Sequence, residues 1–175
     1  HINEILHAAL RSKDLVKQIL AFSRQGDQIK KPIKLQPVIK EALKLLHSSI
    51  PSTIEINQDI DLNCGFVITD PTQIHQIIMN LATNAFHAME ETGGRLDVML
   101  KQIRLESDRL MFSELMPGDY ARLTVSDTGI GIKKNILDKI FDPYFTTKKV
   151  GKGTGLGLSV VQGIVKSYGG DIRIY

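Results

Sequence analysis

Apolar side chains recur at helical spacing over residues 2–22 (Ile2, Ile5, Leu6, Ala9, Val16, Ile19), with no glycine or proline before Gly26, which predicts one long amphipathic helix. Leu10, Leu15, Leu20 and Phe22 widen the apolar surface beyond one stripe, as in a helix packed on more than one neighbour of a bundle. Gly26-Asp27-Gln28-Ile29-Lys30-Lys31-Pro32 is polar and contains both chain breakers, so it reads as a linker. A second unit starts there. Pro37, taken as a first helical position, and the apolar set Val38, Ile39, Ala42, Leu43, Leu45 and Leu46 predict a helix ending between residues 48 and 51. Short β-type runs follow at 53–57 and 66–69.

Asp70-Pro71-Thr72-Gln73 is a helix start, with Asp70 as cap, Pro71 in the first turn and Gln73 where a capping-box partner stands. The helix runs to about residue 90. Ile74, Ile77, Ile78, Leu81, Ala82, Ala85, Ala88 and Met89 share one face, while Gln73, Gln76, Asn80, Asn84 and His87 fall within a sector of roughly 80°. Gly93-Gly94 breaks the chain before two strand candidates, 95–105 and 120–126, expected to pair as a hairpin through Met116-Pro117-Gly118-Asp119. A short helix at 133–140, an apolar helix at 156–168 and a last strand at 171–175 complete the pattern.

Composition narrows this only a little. A chain of 175 residues with 42% hydrophobic side chains can bury one sizeable core, and a net charge of +3 falls well short of a nucleic-acid footprint. The single cysteine, Cys64, has no internal disulfide partner and reads as a buried or edge thiol. No run of about eighteen apolar residues marks a membrane span. Both ends read as cut from a longer protein.

Three polar elements carry chemistry. Asp127-Thr128-Gly129-Ile130-Gly131 ends an apolar strand. A carboxylate there can accept from the exocyclic amine of adenine and reject guanine, and glycines let a flat base lie on the backbone. Turn chemistry alone explains the same residues as an Asp-Thr-Gly turn. Gly151-Lys152-Gly153-Thr154-Gly155-Leu156-Gly157-Leu158 opens the apolar helix, where free amides suit phosphate oxygens. A P-loop fails because Lys152 is followed by Gly153, and a dinucleotide fingerprint fails at Leu158. Lys148, Lys149 and Lys152 favour anion binding over a merely flexible loop, although they are equally compatible with a solvated face. Asn80 and Asn84 lie four apart on one helical face, and a neutral amide oxygen can ligate Mg²⁺ beside a triphosphate. His87 continues the stripe and could touch a phosphate, although a partly exposed histidine with no role explains it equally well.

In this order, Asn80-Leu81-Ala82-Thr83-Asn84-Ala85, Asp127-Thr128-Gly129-Ile130-Gly131, Phe141-Asp142-Pro143-Tyr144-Phe145 and Gly153-Thr154-Gly155-Leu156-Gly157-Leu158 resemble the N, G1, F and G2 boxes of sensor histidine kinases. Phe145-Thr146-Thr147-Lys148 and Gly155-Leu156-Gly157-Leu158-Ser159-Val160-Val161 resemble the wording of nitrogen-regulation and PAS-linked hybrid kinases. The resemblance implies a two-layer α/β sandwich of the Bergerat (GHKL) type, a mixed sheet covered on one face by helices. It also implies a division into the second helix of a dimerisation domain (1–25), a linker (26–34) and a catalytic ATP-binding domain (35–175) whose final strand is missing. Carried over residue by residue, Asp127 would hold adenine with Gly129, Ile130 and Gly131 lining it, and Asn84 would ligate Mg²⁺ with Asn80 beside it. Residues 146–152 (Thr146, Thr147, Lys148 and Lys152 among them) would form a lid anchored by Phe141 and Phe145. Gly153, Thr154, Gly155, Leu156, Gly157 and Leu158 would cradle the phosphates.

The implied partners are ATP, a histidine-bearing dimerisation helix of the same or a partner subunit, a response regulator receiver domain and a second copy in a homodimer; nucleic acid is not among them. A cytoplasmic placement is implied. Hydrolases of the superfamily, such as gyrase, MutL and the heat-shock chaperones, carry a glutamate base where this chain has Asn80, and an amide cannot take a proton from water. The expectation is therefore phosphoryl transfer to a histidine, with no catalytic base and no acceptor identified here. His1 and His7 lack the following acidic residue of the family's acceptor. The isolated chain is expected to be inactive alone. Alternatives are a degenerate nucleotide-binding interaction module and an ATPase of the superfamily.

Overall fold

The structure is a computed structural model describing residues 30–106, 115–148 and 153–175. The helix predicted over 2–22 and most of the linker lie outside the described residues. The elements are β1 (Lys31–Lys34), α1 (Leu35–Ser49), β2 (Ile54–Ile60), β3 (Phe66–Thr69), α2 (Pro71–Met89), β4 (Gly94–Leu105), β5 (Gly118–Asp127), a 3-10 turn (Lys134–Lys139) and α3 (Gly157–Ser167). A three-stranded mixed sheet runs β2-β4-β5, with β2 parallel to β4 and β4 antiparallel to β5; β1 and β3 form a separate antiparallel pair.

The sheet's two faces follow from the period-2 alternation of β4. Leu96, Val98 and Leu100 are fully buried on one face. They pack with Ile39, Leu43 and Leu46 of α1, Ile77, Ile78, Ala82, Ala85 and Met89 of α2, and Val161 and Ile164 of α3. Burying each large aliphatic side chain contributes about 1.5–3 kcal/mol, so this interlayer core dominates the stability of the fold. The opposite face carries exposed pairs, Arg95 to Asp97 at 3.0 Å and Lys101 to Asp59 at 2.8 Å, each contributing roughly 0–1 kcal/mol. The chain is thus the two-layer sandwich expected, with helices on one face of a mixed sheet.

Four expectations need correction. Residues 31–34, assigned to the linker, form β1, whose Pro32 is tolerated because β1 is an edge strand paired only with β3. β2 continues through polar Asn57-Gln58-Asp59 to Ile60, because the parallel ladder to Asp97, Val98, Met99 and Leu100 supplies the hydrogen-bonding partners. Residues 171–175 form no strand; no described strand lies beside them as a ladder partner. Gln73 does not close a capping box, since its side-chain oxygen instead accepts from the Tyr168 hydroxyl.

The Asp70 cap itself is present. Its Oδ1 accepts from the Thr72 amide at 2.8 Å, and Pro71 opens the helix as expected. Tyr168 also accepts from the Asp70 amide at 3.0 Å, tying the far end of α3 to the start of α2. Cys64 is 2% exposed, and burial, with the nearby Asp61 charge, pushes its thiol pKa up.

Candidate nucleotide-binding site

The two functional loops leave the frame at neighbouring places. β5 ends at Asp127, whose Oδ1 accepts from the Gly129 amide at 2.9 Å and so bends the chain back. The turn is then fastened to both layers. Thr128 donates its amide to the Arg95 carbonyl at 3.1 Å and accepts at Oγ1 from the Arg95 amide at 2.9 Å. Ile130 donates its amide to the Ala88 carbonyl at 3.2 Å, satisfying one of the orphan acceptors in the last turn of α2. A Cβ on Gly129 would stand 2.6 Å from both the Ala88 Cβ and its carbonyl oxygen, so glycine is required for this approach. Gly131 has φ +66 and no atom within 4 Å of a Cβ built on it. Ile130 is 86% exposed beside that open space.

α2 contributes the second wall. Its apolar face turns to the core, which leaves Asn80, Asn84 and His87 half-buried at its edge. The first residue of α3, Gly157, packs here: a Cβ on it would lie 3.7 Å from the Asn84 Nδ2 and 3.9 Å from the Asn80 Oδ1. Leu156 offers no side-chain cap to the helix behind it. The asparagine stripe therefore faces the start of α3, whose first N–H groups carry a partial positive charge. His87 Nδ1 lies 3.8 Å from a Glu90 carboxylate oxygen, and its ring tilts against Phe86.

Lys148 reaches across to this wall, donating to the Asn84 Oδ1 at 3.0 Å. Burial pulls its ammonium pKa below the ordinary lysine value, while the nearby Glu90 charge works the other way. The Thr146 hydroxyl accepts from the Lys148 amide at 3.2 Å, and Thr147 is exposed between them. Gly153 re-enters against the Lys148 stem, 3.0 Å from a built Cβ to Cδ. Lys149 and Lys152 lie outside the described residues. The Thr154 hydroxyl accepts from the Leu156 amide at 3.4 Å, and Leu158 is half-buried in the first turn of α3. Phe141 and Phe145 are half-buried, and Ile140 just before them is buried.

The sequence reading missed two supports. Tyr144 has φ +68, unusual for a bulky side chain, and donates its amide to the Gly155 carbonyl at 3.0 Å. Gly155, itself at φ +69, leaves no room for a Cβ, which would sit 2.3 Å from the Tyr144 carbonyl carbon. Its position in the middle of a glycine run hides this tight packing. The other is Ala88, a small residue on the seam of α2 that accommodates Gly129.

These features define a class: an α/β sandwich in which one helix's asparagine stripe meets a glycine-rich helix start and the same helix's last turn holds a strand-end Asp-Thr-Gly turn. The chain belongs to the family described as histidine kinase-, DNA gyrase B- and HSP90-like ATPases, whose model matches residues 69–175. It is 41% identical over 172 residues to the sensor kinase CckA of Brucella abortus, covering 98% of this chain and 18% of that protein. It is 28% identical over 172 residues to the sensory histidine kinase/phosphatase NtrB of Klebsiella oxytoca, covering 97% and 46%. Among solved structures, histidine kinase ThkA in complex with response regulator protein TrrA superposes with a TM-score of 0.67 at 26% identity, covering 97% of this chain and 44% of that one. The chain thus spans less than half the length of these relatives.

Proposed function

We propose that this chain is the ATP-binding catalytic portion of a sensor histidine kinase, which binds Mg·ATP and presents the terminal phosphate to a histidine on a dimerisation helix. The observation that carries this reading is the convergence of the Asn80 and Asn84 carboxamides on the start of α3 at Gly157. The Asn80 oxygen beside the helix start and the Asn84 oxygen, which accepts from Lys148, are neutral, hard donors that fit a magnesium ion taking most of its ligands from phosphate and water. The bound ion would neutralise charge on the phosphate oxygens during transfer.

The chain's own groups divide the remaining work. Asp127 has its Oδ1 engaged by Gly129, leaving the second carboxylate oxygen to accept from the adenine amine. Gly129, Ile130 and Gly131 line the base, and the segment from Gly153 to Gly157 that leads into α3 supplies amides for the phosphates. Asn80 stands where the hydrolases carry their base and cannot deprotonate water. Binding therefore positions ATP for an incoming imidazole without activating water. By the same reading the acceptor lies on another helix, the functional unit is a homodimer, and the phosphoryl group passes on to a response regulator.

The substitution Asp127→Asn tests the adenine assignment. The carboxamide oxygen of the variant would keep the Gly129 bond, while its amino group places donors against the adenine amine. Calorimetry should show ADP affinity falling about tenfold or more, or about 1.4 kcal/mol. Unchanged affinity removes Asp127 from the base site. Incubation of the chain with labelled ATP and a fragment bearing the acceptor helix should yield acid-labile phosphate on that fragment, with little phosphate released in its absence.

A further inference from the structure

The oxygen assigned to the metal already has a cationic donor. Lys148 places its ammonium 3.0 Å from the Asn84 Oδ1, in a partly buried contact between residues 64 apart in the chain. The posture is held along the whole side chain. Its amide is tied to the Thr146 hydroxyl, and its Cδ lies 3.0 Å from the position of a Cβ on Gly153, so the stem runs between the outgoing and returning ends of the lid segment. At the other side of the carboxamide, Gly157 stands 3.7 Å from Asn84 Nδ2, measured from its built Cβ, which marks the amide as the shared border of lid, α2 and α3.

We infer that Lys148 and the divalent cation are alternative occupants of the Asn84 carboxamide oxygen, so that metal entry evicts the lysine. The inference rests on the ATP-site reading above and adds a coupling within that site. An ammonium and a divalent cation on one oxygen would repel each other, and a neutral carboxamide carries no charge to offset them. The lysine can leave by rotation about its own side-chain torsions while its backbone stays bonded to the Thr146 hydroxyl. Its freed ammonium then becomes available to phosphate oxygens. Metal would thus arrive at a cost set by Lys148.

The test compares ADP affinity of the 175-residue chain with Mg²⁺ and with chelator, by calorimetry, for the wild type, Lys148→Met and Lys148→Arg. ADP is the probe because it lacks the terminal phosphate to which the lysine would otherwise bind. The measured quantity is the gain in affinity that Mg²⁺ confers. Methionine keeps the stem and removes the cation, so this gain should rise about fivefold or more in Lys148→Met and stay within about twofold of wild type in Lys148→Arg. Melting temperatures of the three proteins separate these changes from altered folding.

An unmoved or smaller gain in Lys148→Met overturns the inference while leaving nucleotide binding intact. An equal rise in Lys148→Arg also overturns it, because the effect would then follow side-chain shape and not the competing charge. If the wild-type chain binds ADP under neither condition, the ATP-site reading fails and this inference falls with it.

Discussion

The two glycine-rich stretches look alike in sequence and are built in different ways. Residues 127–131 are bonded into the frame: Thr128 is fixed to β4 at Arg95, and Gly129 and Ile130 to the last turn of α2 at Ala88. Residues 153–157 are fastened largely to another loop, Gly155 to Tyr144 and Gly153 to Thr146 and Lys148. The 127–131 stretch is therefore an extension of the core, whereas the 153–157 stretch is one loop closed on another. Substitutions in the first stretch should be read out mainly as lost stability, and those in the second mainly as lost ligand affinity.

The largest effect is expected at Gly129. Alanine there brings a methyl within 2.6 Å of the Ala88 Cβ and carbonyl oxygen, both held by a nineteen-residue helix that cannot yield locally. Overpacking of this kind costs about 1–3 kcal/mol, and the Ile130 bond to the same carbonyl should weaken with it. Urea denaturation of Gly129→Ala should show a stability loss of about 2 kcal/mol or more. A midpoint equal to wild type would mean that the turn is not fixed to α2, and the contrast between the stretches would collapse.

Gly155 should behave differently although its geometric conflict is tighter, with a built Cβ 2.3 Å from the Tyr144 carbonyl carbon and φ at +69. Here the opposing backbone is a loop, which can move aside. Gly155→Ala should lower stability by only about 1 kcal/mol, from the left-handed backbone cost, while ADP affinity falls about tenfold as the α3 start is displaced. The measurements are a denaturation curve and a calorimetric titration on the same preparation. A stability loss as large as that of Gly129→Ala, with affinity unchanged, would reverse the contrast between the two stretches.

Much of the frame was legible because each signal was local. The α2 stripe, its Asp70 cap and the alternation that buries Leu96, Val98 and Leu100 need only neighbouring residues to be read. What stayed hidden depends on partners far along the chain. β1 becomes a strand only because Phe66, Val67, Ile68 and Thr69 lie beside it. Gln73 turns from a local cap to Tyr168, 95 residues away. At the candidate site the residue types that suggest nucleotide chemistry, asparagine, aspartate and glycine, are visible in the sequence. The supports could not, because neither the positive φ of Tyr144 nor the closeness of Ala88 to Gly129 is encoded in any residue alone. The Lys148 contact with Asn84, 64 residues apart, likewise appears only in the folded chain.

Gly131 separates the two reasons a position requires glycine, and its substitution should have the smallest effect. It shares the left-handed backbone of Gly155, at φ +66, but a Cβ on it meets nothing within 4 Å. Only the backbone term remains, so Gly131→Ala should cost about 1 kcal/mol in stability. Asparagine tolerates this conformation better than alanine, and Gly131→Asn should therefore recover roughly half of that loss. The same exchange at Gly155 should recover less, because the larger asparagine side chain must also be accommodated against the Tyr144 backbone. Comparing alanine with asparagine at both sites by thermal denaturation isolates torsion from contact. Equal recovery at the two positions would show that Gly155 serves a backbone angle alone and that the loop-on-loop closure at Tyr144 contributes nothing.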